Sequence, residues 1–205
     1  MTSAPTPSAL HQALRAATKI PHHTLDHHPL LAPLVRPDLR IDQYADALCA
    51  LHGVHHAAEQ WVLEYLARHP CALDYHARRK LPALEADLAV LGCTPCATQG
   101  GVDAPYSVGT LVGILYTLEG STLGGQFIAG HLRQVHGDSL PMQFFTGYGE
   151  RTRPHWDAFL QFAQCACPEA EYAWAAQSAV AMFDFIQRHL DYAQAQLAKR
   201  PVRGM

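Results

Sequence analysis

The sequence has few charged residues and no strong excess of either sign. Lysine and arginine number 15 and aspartate and glutamate number 18, which gives a formal net charge of -3 at pH 7. Non-specific nucleic-acid binding relies on a large positive field, so this charge argues against that class of protein. Charged residues make up 16% and hydrophobic residues 49% of the 205 residues, which is typical of one globular domain with a substantial core.

Long apolar segments are also missing. No uninterrupted apolar run approaches the roughly 18 residues that a membrane-spanning helix needs. The segment from Met1 to Ser8 is polar and proline-rich and lacks the basic and apolar regions of a secretory signal peptide. We therefore expect a soluble cytoplasmic protein without membrane contact, with loose tails over residues 1–7 and 200–205.

The cysteines do not form a recognisable metal site. Cys93 and Cys96 have the Cys-x-x-Cys spacing of zinc and redox motifs, but Cys165 and Cys167 lack the spacing of a second zinc pair. No βαβ pattern surrounds the motif, as a thioredoxin-like site would require. In a cytoplasmic chain we expect mostly free thiols.

Strand-like alternation and internal repeats are absent, and apolar residues recur at helical spacing. Pro21 lies near the end of the first helical pattern, and Pro82 marks a start or a kink in the third. The predicted helices cover 8–20, 42–69, 72–91, 105–135, 154–166 and 168–198, and the predicted loops cover 29–40, 92–104 and 137–153. The sequence therefore predicts an all-α, single-domain bundle of roughly six to eight helices over residues 8–199.

One predicted helix contains an unusual number of glycines. Between Gly109 and Gln126 the apolar pattern is helical, yet Gly109, Gly113, Gly120, Gly124 and Gly125 interrupt it. Each glycine costs about 0.8–1 kcal/mol relative to alanine in a helix interior, so the backbone here must lie close to something else. Gly120 and Gly124 share one face, which suits a large flat ligand such as a porphyrin. Close packing of small residues against another helix also explains the pattern, and the spacing alone favours this second interpretation.

Histidine is abundant as well, with 14 residues in the chain. Most of them need no role beyond ordinary hydrogen bonding, but histidine is the commonest neutral nitrogen ligand of iron. Arg15 and His22 are seven residues apart on a predicted helix, so they face the same way about 10 Å apart along the axis. This separation matches a porphyrin whose iron is held at one point while its carboxylates reach a cation.

Two motifs resemble heme oxygenase, most closely its bacterial, phytochrome-associated branch that makes biliverdin. Residues 14–26, LRAATKIPHHTLD, resemble the proximal helix, in which an Ala-Thr pair precedes the iron-ligating histidine. Residues 115–126, LYTLEGSTLGGQ, resemble the kinked distal helix. With weaker similarities over 78–92 and 148–156, the resemblance covers roughly residues 10–195. It implies an all-α bundle that holds heme between a proximal helix and a kinked, glycine-rich distal helix.

The resemblance also implies the site. His22 is the axial ligand of the heme iron, and Arg15 and Tyr116 contact the propionates. On the distal side, the expected heme-contacting residues are Gly120, Gly124 and Gly125, and the expected catalytic positions are Gly120, Ser121 and Gly124.

Two positions affect these assignments. Ser121 stands where mammalian-type enzymes have an aspartate. The phytochrome-associated branch also has a serine at this position, so other groups must hold the distal water. Pro21 can bend or end the helix beside the ligand, which leaves His23 as a rival to His22.

The implied reaction is the oxidative ring opening of heme to biliverdin, with release of carbon monoxide and iron. Heme is substrate and cofactor, O2 is the oxidant, and the electrons come from a reductase or ferredoxin. A phytochrome apoprotein that takes up biliverdin is the expected further partner.

Related helical scaffolds carry other functions. A non-catalytic heme-binding sensor or carrier would use the same residues, so the sequence does not separate it from the enzyme. A di-iron oxidase needs Glu-x-x-His pairs, which the chain lacks. A cofactor-free enzyme of the thiamin-salvage type would not explain a glycine run beside a ligand histidine.

Overall fold

The computed structural model describes residues 7–98, 100–101 and 103–199. Over these residues the chain forms seven α-helices and short 3-10 turns but no strand, which confirms the predicted all-α class. The helices are α1 (Ala9–Asp26), α2 (Ile41–Arg68), α3 (Leu81–Val90), α4 (Val108–His136), α5 (Gln143–Thr146), α6 (Thr152–Ala166) and α7 (Tyr172–Leu197). Within the described ranges no helix is both long and apolar enough to cross a bilayer. Apart from Pro7, the two predicted tails lie outside the described residues.

The last helix, α7, is the centre of the bundle, because it packs against α1, α2 and α4. The core is one continuous cluster of buried side chains to which all four helices contribute. Fully buried examples are Leu14 of α1, Leu48 of α2, Ile114 of α4, and Phe185 and Leu190 of α7. Burying one such side chain contributes roughly 1.5–3 kcal/mol, so packing on α7 fixes where α1 and α4 lie.

The first helix is longer than predicted. The expected end near residue 20 is wrong, because α1 continues through Pro21 to Asp26. A proline removes one backbone N–H from a helix, but the buried Leu25 holds the following turn against the core. His22 therefore stands on a helix, in the last two turns of α1.

The third helix is shorter than predicted. Only the 3-10 turn His76–Arg78 lies between residues 72 and 80, and α3 begins at Leu81. Pro82 occupies the first turn of α3, where its missing N–H has no helical partner to lose. The carboxylate of Glu59 on α2 accepts the backbone N–H groups of Lys80 and Leu81 at 2.6 and 2.8 Å, which fixes this start.

The predicted loop over 137–153 contains two short helical elements, α5 and the 3-10 turn Gly149–Arg151. The buried carboxylate of Asp87 on α3 accepts the backbone N–H groups of Gln143 and Phe144 at 3.0 and 2.9 Å. A carboxylate from a distant helix thus starts α5 just as Glu59 starts α3. Neither contact has a local sequence signature.

The glycine-rich helix α4 begins close to its predicted position. The hydroxyl of Ser107 accepts the N–H of Thr110 at 3.2 Å and caps the first turn. The helix then continues through all the glycines to His136 and ends at Gly137, whose φ of 60° is in the left-handed region. Its glycines therefore lie within regular helix.

Candidate functional site

His22 lies on the outer side of α1 with its ring open to solvent. Its side chain is 65% exposed, and its Nδ1 lies 3.0 Å from Oδ2 of Asp26, one turn later. A carboxylate accepts a hydrogen bond from Nδ1–H, and in this tautomer the unprotonated Nε2 is the metal-binding nitrogen. The ring also lies against Phe183 of α7, with 5.9 Å between centroids. The sequence analysis did not identify Asp26, although its position four residues after His22 could have indicated it.

The neighbouring His23 has different surroundings. Its ring packs on that of His27, with 4.4 Å between centroids. The backbone carbonyl of His23 accepts a hydrogen bond from Nδ1 of His27 at 2.8 Å. His23 thus belongs to an exposed histidine pair, whereas His22 has a carboxylate that orients its ring.

Three of the glycines in α4 serve close packing. A Cβ on Gly113 would lie 2.7 Å from the backbone nitrogen of Ala179 and would also collide with the Ala175 carbonyl of α7. A Cβ on Gly109 would lie 2.7 Å from Cβ of Glu171, and one on Gly125 would lie 3.1 Å from the Phe145 carbonyl. Packing explains these three positions, so the structure separates Gly125 from the other glycines expected to contact heme.

Gly120 and Gly124 differ from that group. A Cβ on Gly120 would make an ordinary contact of 3.7 Å with Trp156, and a Cβ on Gly124 would meet no atom within 4 Å. Between them, the exposed Ser121 donates its hydroxyl to the Leu118 carbonyl at 2.8 Å. This part of α4 therefore has a bare, outward face on which a flat ligand can approach the backbone.

Arg15 and Tyr116 come together where α1 passes α4. Arg15 is exposed and makes no salt bridge with any residue that the structure describes. Tyr116 is half-buried; burial raises the pKa of its hydroxyl, while the nearby Thr18 hydroxyl and the charge of Arg15 act in the opposite direction. A guanidinium and a phenol at one end of the site are suitable donors for a carboxylate.

Helices α1 and α4 are held in place mainly through a third helix, α7. Both α1 and α4 pack extensively on α7 but make few direct contacts with each other. A ring contact joins the first turn of α1 to the third turn of α4, where His11 lies edge-on to Tyr116 at 6.2 Å between centroids. The faces bearing His22 and Gly124 lie further along the two helices.

A buried ionic cluster holds α4 beside the bare face, and sequence reasoning missed it. Glu119 is 1% exposed and accepts from Arg78 at 2.8 Å and from Lys80 at 2.9 Å. The hydroxyl of Tyr148 lies 2.9 Å from the same carboxylate and 3.0 Å from the Lys80 ammonium. Burial lowers the pKa of Lys80, an effect that the Glu119 charge opposes. The signal in the sequence was one glutamate inside an otherwise apolar helix.

Metal-binding groups and hollows elsewhere do not point to another site. Within the described part of the chain, no group of three or more histidine, cysteine, aspartate or glutamate side chains could hold a metal ion. Two surface hollows of about 290 and 450 Å³ lie near Tyr75 and near Met142. None of the predicted site residues lines either of them.

Among known proteins, a family model and several solved structures match this chain. A family model described as heme oxygenase matches residues 8–191. Among solved structures, heme oxygenase from Neisseria meningitidis, determined with NO and CO bound, is 24% identical with a TM-score of 0.68, and the match covers 95% of this chain and 97% of that one. No curated protein gives a significant sequence match.

Two further solved structures share the fold. Heme oxygenase-1 from the cyanobacterium Synechocystis, in complex with heme, is 18% identical with a TM-score of 0.72 and coverages of 94% and 95%. Heme oxygenase from Leptospira interrogans is 16% identical with a TM-score of 0.71 and coverages of 90% and 100%. At these identities the structural matches establish the fold.

Proposed function

The chain belongs to the heme oxygenase family, and from this premise we propose that it opens heme oxidatively to biliverdin, releasing carbon monoxide and iron. The observation that supports the proposal best is the pairing of His22 with Asp26. This pair presents an exposed imidazole whose Nδ1 is already bound, as a heme-ligating histidine requires. Family membership alone would not assign the ligand.

The residues of the site fit heme. His22 would hold the iron through Nε2, and Arg15 and Tyr116 would hold propionate carboxylates. Gly120 and Gly124 would let the ring lie against the backbone of α4, because no side chain stands in the way. Gly125 faces Phe145, so its contribution is to bring α5 close to α4.

When bound, heme with O2 and electrons supplies the oxidative chemistry, and the protein supplies binding, orientation and a suitable electrostatic environment. A distal strong acid would favour cleavage of the oxygen–oxygen bond over ring oxidation. Glu119 is the one acidic residue of α4, and its carboxylate is engaged by Arg78, Lys80 and Tyr148. The exposed Ser121 leaves only a neutral hydroxyl on the bare face.

This environment gives a specific expectation for Ser121. Its hydroxyl is already bonded to the Leu118 carbonyl, so it can make only a limited contribution to a water network. We expect Ser121→Ala to slow turnover about fivefold, since one neutral hydrogen bond contributes about 1 kcal/mol. A loss of a thousandfold or more would show that Ser121 is directly involved in the chemistry.

The decisive experiment follows one turnover. The purified protein is loaded with one equivalent of hemin, reduced by a reductase or ferredoxin system in the presence of catalase, and exposed to O2. We expect loss of the Soret band, release of iron and a biliverdin peak on chromatography. A parallel reaction with His22→Ala controls for non-enzymatic oxidation.

The same experiment tests the main alternative, a heme-binding sensor or carrier. If ferrous heme forms but persists in O2, the protein binds heme without degrading it. The physiological setting that we propose is the cytoplasm, with a reductase or ferredoxin as donor. A bacterial phytochrome apoprotein is the proposed acceptor of biliverdin, a role that rests on the similarity of 115–126 to that branch.

A further inference from the structure

The Cys-x-x-Cys motif of the sequence has no place in the proposed heme site. Cys93 and Cys96 lie in the segment that joins α3 to α4, and residues 93–98 form neither a helix nor a turn. No local turn therefore folds the two cysteines onto each other. The thiol of Cys93 instead donates to the Leu91 carbonyl at the end of α3, at 3.4 Å. The structure thus separates the roles of the two cysteines.

Cys96 lies beside a different cysteine, Cys49 of α2. The backbone N–H of Cys96 donates to the Cys49 carbonyl at 3.2 Å. One turn later on α2, the Gly53 carbonyl accepts the hydroxyl of Thr98 at 3.4 Å, so the segment runs along α2. Residues joined by such a backbone hydrogen bond have Cα atoms on the order of 5–6 Å apart, and a disulfide needs about 4.4–6.8 Å. The backbone spacing of Cys49 and Cys96 therefore suits a disulfide.

The two side chains are enclosed between α2 and this segment. The thiol of Cys49 points to the segment, because it donates to the Thr94 carbonyl at 3.4 Å. Cys49 is 1% exposed and Cys96 is 8% exposed, so both thiols lie inside the protein. Joining their sulfurs therefore requires side-chain rotation more than movement of the backbone.

We propose that Cys49 and Cys96 form a reversible disulfide when the protein meets hydrogen peroxide. The Cys96 thiolate attacks one peroxide oxygen, which gives a sulfenic acid and hydroxide. The Cys49 thiolate then attacks the Cys96 sulfur and displaces a second hydroxide. The two protons released by the thiols convert both hydroxides to water, so two thiols and one peroxide give one disulfide and two waters. A dithiol reduces the bond again by exchange.

Peroxide reaches Cys96 before Cys49. Cys96 lies in an irregular segment, and such segments open locally more readily than packed helices unfold. Cys49 lies within the long helix α2 and attacks only when the segment closes again. In the cytoplasm that we propose for this protein, thiols are otherwise kept reduced, so the bond is transient and forms in response to oxidant.

The disulfide ties the connection between α3 and α4 to α2 without touching the bare face of α4. It closes a loop of about 50 residues, which restricts the unfolded chain much more than the folded protein. The start of α4 is held separately, since Glu171 accepts the backbone N–H of Gly109 at 2.7 Å. Oxidation should therefore make the protein more stable and leave its binding of hemin unchanged.

The test oxidises the protein without hemin, so its result does not depend on the proposed function. In the parent protein for this test, the exposed Cys71 and Cys165 are replaced by serine to prevent bonds between molecules. After treatment with hydrogen peroxide, the remaining thiols are alkylated and the tryptic peptides are identified by mass spectrometry without reduction. Trypsin releases Cys49 within residues 41–68 and Cys96 within residues 81–133.

Because residues 81–133 also contain Cys93, single variants complete the assignment. We expect the two peptides to be joined in the parent protein and in the control Cys93→Ala, but not in Cys49→Ala or Cys96→Ala. The urea midpoint of the parent should rise by about 1–2 M on oxidation and return when dithiothreitol is added. Cys96→Ala should show no such rise. Its substitution lies outside the helices, so it decides the matter if Cys49→Ala does not fold.

Three results would overturn the proposal. One is a disulfide within residues 81–133, which would join Cys93 to Cys96. Another is a pair of joined peptides that persists in Cys96→Ala, which would assign the bond to Cys93. The third is oxidation that only adds oxygen to the thiols, or that leaves every thiol open to alkylation.

Discussion

Replacing Gly113 and Gly124 separately by alanine should change the stability of the protein in opposite directions. At Gly124 the new Cβ meets no atom within 4 Å, so the substitution gains about 0.8–1 kcal/mol of helix propensity. At Gly113 the new Cβ would lie 2.7 Å from the Ala179 nitrogen and would also collide with the Ala175 carbonyl. Both are backbone atoms, so no rotamer change can move them away. Overpacking of this kind costs about 1–3 kcal/mol, and a clash with backbone belongs at the upper end of that range. Because the alanine also gains helix propensity, the net loss in the free energy of unfolding is about 1–2 kcal/mol.

Urea unfolding of the protein without hemin measures both changes. With a slope near 2 kcal/mol per molar urea, the midpoint should rise by about 0.5 M for Gly124→Ala and fall by about 0.5–1 M for Gly113→Ala. Gly130→Ala provides the control for propensity alone, because a Cβ there is equally open. Its midpoint should rise by the same amount as that of Gly124→Ala.

Hemin titration of the same proteins separates stability from ligand binding. The larger Gly124→Leu should weaken hemin binding at least tenfold, because its side chain would occupy the space proposed for the ring. A Gly113→Ala protein that is more stable than the wild type would refute the packing explanation. A Gly124→Leu protein that binds hemin normally would show that the bare face does not contact the ligand.

Three further predictions concern other parts of the site. His22→Ala should abolish the histidine-ligated hemin spectrum while His23→Ala retains it; the reverse result would move the ligand by one residue. Glu119→Gln should lower the free energy of unfolding by about 3–5 kcal/mol in urea titrations, because it leaves buried cations unpaired; a loss below 1 kcal/mol would contradict this. Burial lowers the pKa of His55 to about 3, so the folded protein keeps this ring neutral while the unfolded chain protonates it near pH 6.5. The contribution of the neutral ring to the free energy of unfolding is complete above pH 6.5 and decreases by about 1.4 kcal/mol per pH unit as the pH falls toward 3. In urea titrations, His55→Leu should therefore lose less stability than the wild type between pH 6.5 and 5.

The fold could be predicted from sequence because apolar periodicity reports directly on helices that pack on a core. The starts of α3 and α5 could not, because they depend on Glu59 and Asp87, which reach them from helices distant in sequence. Pro21 was misinterpreted for a related reason. Its local cost is offset by the burial of Leu25, which is a tertiary contact.

The candidate site was predictable to a similar extent. Glycine spacing indicated a close approach but could not separate ligand from helix, and the structure shows that Gly113 packs on α7 whereas Gly124 is open. The pairing of His22 with Asp26 follows from helical spacing and could have been anticipated. The cluster around Glu119 could not, since its partners lie between 29 and 41 residues away in sequence.

The proline inside α1 has a consequence for how the protein moves. Because Pro21 has no N–H, the Ala17 carbonyl receives no i+4 hydrogen bond, and the backbone ladder is interrupted one turn before the end of the helix. The turn that carries His22 is thus the segment of α1 most easily opened without unfolding the rest. Amide hydrogen exchange over residues 22–26 should be faster than over 10–17. Under the proposed function, such local opening offers a path for product release that leaves the packing of α4 on α7 undisturbed.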